Sequence, residues 1–167
     1  MMARAHPNPG LRPYLPADAP LLAEIFRASV GELTADDYNA AQQAAWAAFT
    51  DDEAFAKKLS DNLTLVATLD GSPVAFAALE DGKQIAMLYV HPAAAGRGIA
   101  TLLCDALEKL AAARGATRLT ADASDSALGF FQQRGYVARQ RNTVSQAGEW
   151  LANTTMTKDL AAARSLP

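Results

Sequence analysis

Residues 85–100 have the sequence IAMLYVHPAAAGRGIA, which combines a strand, a small-residue loop and the start of a helix. The run Ile85–Val90 is apolar throughout, which is typical of a central strand that is covered on both faces. The loop Ala93–Gly98 follows it. From Ile99 onward, apolar residues recur at helical spacing until Gly115, which predicts a long amphipathic helix. The segment therefore predicts a buried strand that leads through a loop into a helix.

The loop has the features of an anion-binding site. Gly96 and Gly98 allow backbone N–H groups to approach a ligand closely. The N-terminus of the following helix adds free N–H donors and partial positive charge, and Arg97 adds a full charge. Such a site suits a pyrophosphate, although a plain strand-to-helix turn explains the same glycines equally well. The dinucleotide-binding GxGxxG motif and the Walker A lysine are absent from this segment, which excludes those two classes of nucleotide site.

The chain before this segment predicts one edge strand and three helices. Leu11–Leu15 contains a proline, which a strand tolerates only at the edge of a sheet. Asp18 is a suitable N-cap for the first helix. The second helix is expected over Thr34–Phe49, opened by a capping box between its first residue and Asp37, and the third over Asp51–Leu59.

The remaining pattern predicts a mixed sheet. Two Asp-Gly turns, Asp70-Gly71 and Asp81-Gly82, join three consecutive strands as hairpins. A helix from Ser124 or Asp125 to Arg134 separates the later strands. The expected strands after the helical region are Asn62–Leu69, Ser72–Leu79, Gln84–Val90, Thr117–Asp122, Tyr136–Val144 and Glu149–Lys158. Together with the edge strand, this order predicts an α/β protein with a mostly antiparallel sheet of six to seven strands, and not a regular βαβ repeat.

The composition predicts one domain of ordinary size. The chain has 167 residues, half of them apolar and one fifth charged, which is typical of a globular protein. We expect the domain at residues 10–160, with flexible tails at residues 1–9 and 161–167. The formal net charge of -3 argues against a large nucleic-acid-binding face, so no nucleic-acid partner is expected.

Compartment and metal content are predicted from what the sequence lacks. Residues 1–10 contain no apolar signal region, and no uncharged apolar run approaches about 18 residues, so we expect a cytoplasmic protein without a membrane partner. Cys104 is the single cysteine, which excludes an intrachain disulfide and fits a reducing compartment. His6 and His91 form no metal-ligand pattern, so no metal is expected.

Three stretches resemble the GNAT superfamily of acetyl-CoA-dependent N-acetyltransferases. Residues 87–100 are similar to its cofactor motif, Gln/Arg-x-x-Gly-x-Gly/Ala after a strand. Both glycines match, whereas Ala93 replaces the usual Gln or Arg and removes one pyrophosphate contact. Leu11–Pro20 is similar to the family's first strand and helix start, and Ser126–Tyr136 to its second motif, A-x-x-F-Y-x-x-x-G-F. The three stretches occur in the family's order.

The resemblance implies a sheet that is splayed between its fourth and fifth strands, with the pantetheine arm of acetyl-CoA in the gap. Separated strands leave backbone groups unpaired, and the amides of pantetheine can satisfy them. The pyrophosphate would lie on Ala95–Ala100. Ser124 stands where the family often has an asparagine that touches the cofactor, with a helix cap as the alternative role. The implied cofactor-binding residues are Leu88, Tyr89, Val90, Ala95, Gly96, Arg97, Gly98, Ile99, Ala100, Ser124 and Phe131.

The family's reaction is direct attack of an amine on the thioester carbonyl, and here two catalytic positions depart from the pattern. Phe131 replaces the tyrosine that protonates the leaving thiolate in many members, and Gln84 stands near the position of a glutamate base. Three candidates remain. Glu80 is a candidate base or an exposed hairpin-end carboxylate, and Tyr136 is a candidate acid or a core aromatic residue. Asp122 is a candidate substrate anchor or base, or else a helix cap.

The acceptor region of the family corresponds to the predicted second helix. Tyr38, Gln42 and Trp46 share one face of it because they are spaced four residues apart. The resemblance therefore implies that they contact the substrate, and packing against the sheet is the alternative. An aromatic face of this kind can hold an apolar or cationic acceptor.

The activity that the resemblance implies is transfer of the acetyl group of acetyl-CoA to a primary amine of a small molecule or peptide. Because the usual tyrosine and glutamate are missing, a non-catalytic acetyl-CoA-binding sensor or structural module is the alternative. Release of free thiol in the presence of an amine distinguishes the two. In the family the final hairpin often builds a dimer, so a homodimer is a further expectation.

Overall fold

The computed structural model describes residues 8–160, which form a single sheet flanked by helices. The strands are β1 Pro9–Pro13, β2 Leu63–Leu69, β3 Ser72–Glu80, β4 Gln84–Val90, β5 Arg118–Ser124, β6 Val137–Gln146 and β7 Glu149–Asp159. Their order in the sheet is β1-β2-β3-β4-β5-β7-β6, and only the β4–β5 pair is parallel. The predicted mixed, mostly antiparallel sheet is therefore confirmed, with seven strands.

Five α-helices surround the sheet. They are α1 Ala19–Leu33, α2 Ala40–Ala47, α3 Glu53–Asp61, α4 Ile99–Ala113 and α5 Leu128–Gln133. Short 3-10 turns cover Pro16–Asp18, Ala48–Asp51 and Pro92–Ala94. Within residues 8–160, no helix is long and apolar enough to cross a membrane.

The Asp-Gly turns form the hairpins that the sequence predicts. Asp70 and Gly71 have φ values of 52° and 83°, and Asp81 and Gly82 have 54° and 71°. Positive φ at two successive residues matches the right-handed twist of the flanking strands. These turns place β2, β3 and β4 side by side in the middle of the sheet.

The helical region differs from the prediction at its second helix. The expected start at Thr34 is wrong, because α1 continues to Leu33 and the Thr34 hydroxyl donates to the carbonyl of Val30. The helix α2 begins six residues later with a reciprocal cap. Asn39 Oδ1 accepts from the Gln42 N–H at 2.8 Å, and Gln42 Oε1 accepts from the Asn39 N–H at 2.9 Å. This box satisfies two N–H groups that the helix start would otherwise leave unpaired.

The N-terminal boundary also differs by a small amount. β1 starts at Pro9, which pairs with Leu69, so residue 9 belongs to the sheet and not to a tail. Asn8 is exposed and precedes the sheet, and the rest of the predicted tails, residues 1–7 and 161–167, lies outside the described residues. The carboxylate of Asp18 accepts from Arg12 and from the Leu15 N–H, and so does not cap α1 with its side chain.

Two apolar cores lie on opposite faces of the sheet. On the first, which we call the α4 face, Leu103 and Leu107 of α4 pack on the sheet together with Ala121 and Ala123 of β5. On the second, the α1 face, helix α1 packs on the sheet around Phe26. Because side chains alternate along a strand, each strand residue is assigned to one of these faces.

β4 carries a bulge next to the point where it separates from β5. In the β3–β4 ladder, Ala78 pairs with Met87 and Leu79 with Ile85, which leaves Ala86 as an extra residue. A bulge of this kind bends its strand. The parallel ladder between β4 and β5 contains two pairs and ends at Ile85, whereas β5 continues beside β7 to Ser124. The predicted splay between the fourth and fifth strands is therefore present.

Candidate active site

A cleft of about 840 Å³ opens where β4 and β5 separate. One wall is β4 from Ile85 to Val90, and the other is β5 from Ala121 to Ser124. Tyr38 and Trp46 also line it, as do the loop before α4 and the first turn of that helix. The cleft therefore borders both the predicted cofactor loop and two of the predicted acceptor residues.

Most residues that were predicted to bind the cofactor line this cleft. They are Leu88, Tyr89, Val90, Ala95, Gly96, Gly98, Ile99, Ala100, Ser124 and Phe131. Arg97 is exposed and is not part of the lining, although it lies between two lining glycines. This position leaves its charge at the rim of the cleft.

The loop before α4 leaves open space in front of its glycines. Gly96 and Gly98 both have a φ of 79°, a conformation that favours glycine. A Cβ atom added at either position would meet no heavy atom within 4 Å. Gly98 is the N-cap of α4, so the first N–H groups of a 15-residue helix begin here. The geometry therefore provides backbone donors beside open space, as an anionic ligand requires.

One edge of β4 has no partner strand along the cleft. Leu88, Tyr89 and Val90 pair with β3 on their other side. Toward β5 the ladder ends at Ile85, and no other strand of the described chain pairs with this edge. Backbone N–H and C=O groups on a free edge are available to an extended ligand with amides of its own.

An aromatic wall made by Tyr38, Trp46 and Tyr89 lines the α1 side of the cleft. The Trp46 Nε1–H donates to the Tyr89 hydroxyl at 3.1 Å, and the rings of Tyr38 and Trp46 are edge to face at 5.2 Å between centroids. Tyr89 also packs on Phe26 at 4.2 Å. Burial raises the pKa of Tyr89 to about 12, so its hydroxyl is neutral at physiological pH.

The hydroxyl of Tyr38 joins three parts of the chain beside the cleft. It donates to the Ala152 carbonyl at 2.6 Å and accepts from the Asp125 N–H at 2.9 Å. Tyr38 precedes α2, Ala152 belongs to β7, and Asp125 follows β5. Burial is the main cause that raises the pKa of Tyr38, so the hydroxyl keeps its proton for this bridge.

Gln42, the third predicted acceptor residue, does not line the cleft. Its Nε2–H donates to the Trp150 carbonyl at 2.9 Å, which fixes α2 to β7. For Tyr38 and Trp46, contact with the cleft and packing beside the sheet are both present. The structure therefore separates the predicted trio into two lining residues and one that holds the helix in place.

Asp122 is the only charged residue that lines the cleft, within residues 8–160. Its neighbours Ala121 and Ala123 are buried on the α4 face, so its side chain projects to the α1 face. The Thr155 hydroxyl donates to Asp122 Oδ1 at 2.7 Å. Asn142 Nδ2 donates to Thr155 Oγ1 at 2.8 Å, which orients that hydroxyl toward the carboxylate.

The predicted alternative role of Asp122, a helix cap, is wrong. The turn before α5 is closed by Ser124, whose hydroxyl accepts from the Ala127 N–H at 3.1 Å. Ser124 therefore combines a capping contact with a place in the cleft lining. The sequence does not indicate Thr155 or Asn142, because Thr155 reaches Asp122 through the pairing of β5 with β7, and Asn142 reaches Thr155 through the pairing of β7 with β6.

The structure places the other two catalytic candidates outside the cleft lining. Glu80 pairs with Gln84 across the β3–β4 turn and lies 4.0 Å from the ammonium of Lys58. Tyr136 is 3% exposed, and its hydroxyl donates to Glu108 at 2.9 Å. Burial, followed by the charge of Glu108, raises the pKa of Tyr136. The geometry thus matches the alternative roles, a hairpin-end carboxylate and a core aromatic residue, and supports no catalytic role for either.

Phe131 lines the cleft with an apolar ring. It is 4% exposed and packs against Tyr136 at 5.0 Å between ring centroids. Cys104 lies behind it in the α4-face core, where burial raises the pKa of its thiol to about 12. A thiol with this pKa is not a nucleophile at neutral pH. The part of the chain that the structure describes contains no cluster of three or more His, Cys, Asp or Glu side chains that fits a metal ion.

Comparison with known proteins gives consistent matches to one family. Residues 34–160 match the family model of the acetyltransferase (GNAT) domain. The Escherichia coli (strain K12) protein described as uncharacterized N-acetyltransferase YafP is 32% identical over 149 residues, which cover 89% of this chain and 95% of YafP.

Two solved structures share the fold. One, described as a GCN5-related N-acetyltransferase, aminotransferase class-II, from Rhodopseudomonas palustris, is 62% identical with a TM-score of 0.90, and covers 95% of this chain and 100% of that chain. The other is the PaiA N-acetyltransferase from Thermoplasma acidophilum in complex with coenzyme A. It is 18% identical with a TM-score of 0.75, and covers 91% of this chain and 99% of that chain.

These matches, together with the splayed sheet, define the class of the protein as an acyltransferase. The chain belongs to the GNAT superfamily of N-acetyltransferases.

Proposed function

We propose that this enzyme transfers the acetyl group of acetyl-CoA to a primary amine of a small molecule or peptide by direct attack. The observation that carries the proposal is the free edge of β4 beside the open glycine loop. A strand edge suits the amides of pantetheine, and the adjoining helix start suits a pyrophosphate. The Thermoplasma protein, which has the same fold, was solved with coenzyme A bound.

The cofactor would occupy the cleft from the α4 side. Pantetheine would pair with the backbone of Leu88 and Val90, and the pyrophosphate would lie on Ala95–Ala100. Arg97 at the rim adds positive charge near the phosphates. Ala93 is exposed and is not part of the lining, which is consistent with the loss of the contact that the usual Gln or Arg makes.

The acceptor would enter from the α1 face, where the carboxylate of Asp122 projects. The ammonium loses a proton to Asp122, directly or through water, and the neutral amine attacks the thioester carbonyl carbon. A backbone N–H near Leu88 or Tyr89 stabilises the oxyanion that forms. The nitrogen loses a second proton to solvent, the C–S bond breaks, and the thiolate of coenzyme A leaves and takes a proton from solvent.

The acceptor side of the cleft supports a transferase rather than a module that binds acetyl-CoA without turnover. A module that only senses acetyl-CoA needs the β4 edge and the loop, but has no need of a carboxylate that projects from the opposite wall. Holding the amine and the thioester in line can supply much of the rate acceleration, so the absence of a tyrosine at Phe131 does not prevent the reaction. The protonation of the thiolate by solvent takes the place of that tyrosine.

The cofactor assignment is tested by two isosteric variants at one position. Asp and Asn both tolerate the positive φ of Gly98 better than other residues do, so Gly98→Asp and Gly98→Asn differ mainly in charge. Acetyl-CoA affinity, measured by calorimetry, is expected to fall about tenfold further in Gly98→Asp than in Gly98→Asn. Gly115 lies at the other end of α4 and has a φ of 92°. Gly115→Asp and Gly115→Asn are therefore the control pair.

The transferase assignment is tested separately by the release of free thiol from acetyl-CoA with a panel of primary amines. Thiol release that depends on the amine, with formation of the N-acetyl product, is the expected result. Tight binding of acetyl-CoA without product from any amine would establish a sensor instead. Equal affinity of Gly98→Asp and Gly98→Asn for acetyl-CoA would show that the loop is not part of the cofactor site.

A further inference from the structure

The charge content of the cleft restricts which acceptor it can hold. Asp122 is the single charged side chain in the lining, as far as the structure describes the chain. The other polar side chains of the lining are hydroxyl groups, the Trp46 indole N–H and the amide of Asn153. Away from the backbone N–H groups of the glycine loop, a lining with one carboxylate and no basic side chain is complementary to a positive charge and offers no side-chain cation to a negative one.

The carboxylate and the aromatic wall lie on the same face of the sheet. The β4–β5 ladder pairs Ile85 with Ala121, and both of these side chains lie in the core of the α4 face. Asp122, the next residue of β5, therefore projects to the α1 face. Tyr89 of β4 packs with Phe26 in the core of that same face. An acceptor between the two strands thus contacts aromatic rings from one wall and a carboxylate from the other.

Much of the remaining acceptor surface is apolar, although Ser29, Thr34 and Asn153 also line the cleft. Trp46 and Tyr38 continue the wall beyond Tyr89, and Leu33 and Met87 also line the cleft. Aromatic rings bind apolar groups by burying apolar surface area, and the negative faces of the rings attract cations. The Tyr38 hydroxyl is bonded to Ala152 and Asp125, and the Tyr89 oxygen accepts from Trp46. Among the described residues, the O–H of Tyr89 is therefore the one polar hydrogen of this wall left for a hydrophilic acceptor.

An acceptor with its own carboxylate meets an unfavourable site. Its charge would be repelled by Asp122 and would meet no cation in the lining. The nearby guanidinium of Arg141 already forms a bidentate pair with the carboxylate of Asp125. Asp122 is exposed, so water screens this repulsion in part, but the lining offers no cation that would offset it for a free amino acid.

From these observations, and resting on the proposed function, we infer that the acceptor is a cationic primary amine with an apolar or aromatic body and no anionic group near the nitrogen. Arylalkylamines and branched alkylamines belong to this class, and free α-amino acids do not. The exposed carboxylate of Asp122 binds the ammonium, and the rings of Trp46 and Tyr89 bind the body, with the buried Tyr38 packed against Trp46.

Matched acceptors test the inference directly. Initial rates are measured with acetyl-CoA and 2-phenylethylamine, phenylalanine or phenylalaninamide. 2-Phenylethylamine lacks the carboxylate of phenylalanine, and phenylalaninamide replaces that carboxylate with a neutral amide of similar size. We expect kcat/KM for 2-phenylethylamine and phenylalaninamide to exceed that for phenylalanine by about 100-fold. Similar rates for phenylalanine and 2-phenylethylamine would overturn the inference.

A second measurement uses binding, so that it does not depend on turnover. Calorimetry gives the affinity of 2-phenylethylamine and of phenylalanine for the enzyme saturated with coenzyme A. In Asp122→Asn the affinity for 2-phenylethylamine is expected to fall about tenfold or more, while that for phenylalanine changes little or improves. Asp36→Asn, which removes an exposed carboxylate from the connection between α1 and α2, is the control and should preserve the preference.

The outcomes separate this inference from the proposed function. Amine-dependent thiol release without discrimination against phenylalanine refutes the acceptor class and leaves the transferase intact. Selective amine binding that disappears in Asp122→Asn, without thiol release from any acceptor, supports the acceptor class and refutes catalysis. A preference that is unchanged in Asp122→Asn shows that the carboxylate does not select the acceptor.

Discussion

Ile85 and Ala121 form the last cross-strand pair between β4 and β5, and the extra residue of the β4 bulge follows directly after Ile85. The bulge bends β4 at the point where its ladder with β5 stops. Both side chains of the pair are buried in the core of the α4 face, which fixes the branch point. The cleft is thus a consequence of strand geometry.

Arg97 is expected to strengthen acetyl-CoA binding from the rim through its charge. In Arg97→Gln the dissociation constant should rise about three- to tenfold at low salt, because a long-range attraction to the phosphates is lost. The difference between wild type and variant should shrink at 0.5 M salt, where charges beyond a few ångströms are screened. Calorimetry at both salt concentrations provides the measurement.

The matched control for this prediction is Arg114→Gln. Arg114 is exposed at the C-terminal end of α4, at least 15 residues of helix away from the loop, or roughly 22 Å at 1.5 Å per residue. Its removal should leave the affinity nearly unchanged. If both variants weaken binding equally, the effect comes from net charge and not from the position of Arg97.

The sequence predicts the elements of this site better than their contacts. The apolar run of β4, the glycine loop and the Asp-Gly turns are local signals, and each appears at the expected place. The bulge at Ala86 was not predicted, because alanine has no preference for such a position and the surrounding run is uniformly apolar. A local pattern therefore indicates a central strand without indicating where it bends.

The acceptor side depends on contacts that are distant in sequence. The hydroxyl of Tyr38 reaches Ala152 across 114 positions, and Thr155 reaches Asp122 across 33. Both contacts follow from the strand order β5-β7-β6, in which the last strand inserts next to β5. Nothing in the alternation of either strand specifies that order, so the support of Asp122 could not be read from the sequence.

Tyr38→Phe is expected to weaken the fold and the acceptor site together. The variant leaves the Asp125 N–H and the Ala152 carbonyl without their partner, at a cost of about 1 to 3 kcal/mol in unfolding free energy. The KM for the amine should rise, because the bridge holds the connection before α2 against the cleft, while acetyl-CoA affinity stays the same. Urea unfolding and steady-state kinetics measure the two effects.

Tyr14→Phe serves as the control for the loss of a phenol hydroxyl. Tyr14 is half-buried against the α1-face core and does not line the cleft. Its substitution should leave the KM for the amine unchanged. A rise in the KM for acetyl-CoA in Tyr38→Phe, with no change for the amine, would place the bridge on the cofactor side instead.

Thr155 is expected to act as a positioning residue for Asp122. Thr155→Val removes the donor to Asp122 Oδ1 and should lower kcat/KM for the amine about tenfold, the equivalent of one good hydrogen bond to a charged group. Thr155→Ser keeps the hydroxyl and should restore most of the loss. In an Asp122→Asn background, Thr155→Val should add little, because the two residues act as one unit.

Thr157→Val makes the same change two residues along β7, where the hydroxyl accepts from Arg139 and does not touch Asp122. This variant should retain the wild-type kcat/KM. Equal losses in Thr155→Val and Thr155→Ser would show that the methyl packing matters and the hydroxyl does not. Additive losses with Asp122→Asn would show that the two residues act independently.

Glu108 is expected to stabilise the α4 face through its charge. Its carboxylate accepts from Lys158 at 2.8 Å, from Tyr136 at 2.9 Å and from Arg134 at 3.0 Å, and so joins α4 to β7 and to the end of α5. Glu108→Gln leaves two cations with weakened partners in a half-buried site. The unfolding free energy at pH 7 should fall by about 2 to 4 kcal/mol, whereas Glu24→Gln on the exposed side of α1 should change it little.

The dependence of this difference on pH identifies the charge as its cause. Burial acts to raise the pKa of Glu108, but the hydrogen bonds from Lys158, Arg134 and Tyr136 outweigh it and lower the pKa. The stability that the charge provides is therefore complete above the unfolded pKa of about 4.3, and is lost as the pH falls through the lower folded pKa. Urea unfolding of wild type and Glu108→Gln should give a constant gap from pH 6 to 8 that narrows below about pH 4. A gap that stays the same at pH 3 would mean that the variant loses stability through shape and not through charge.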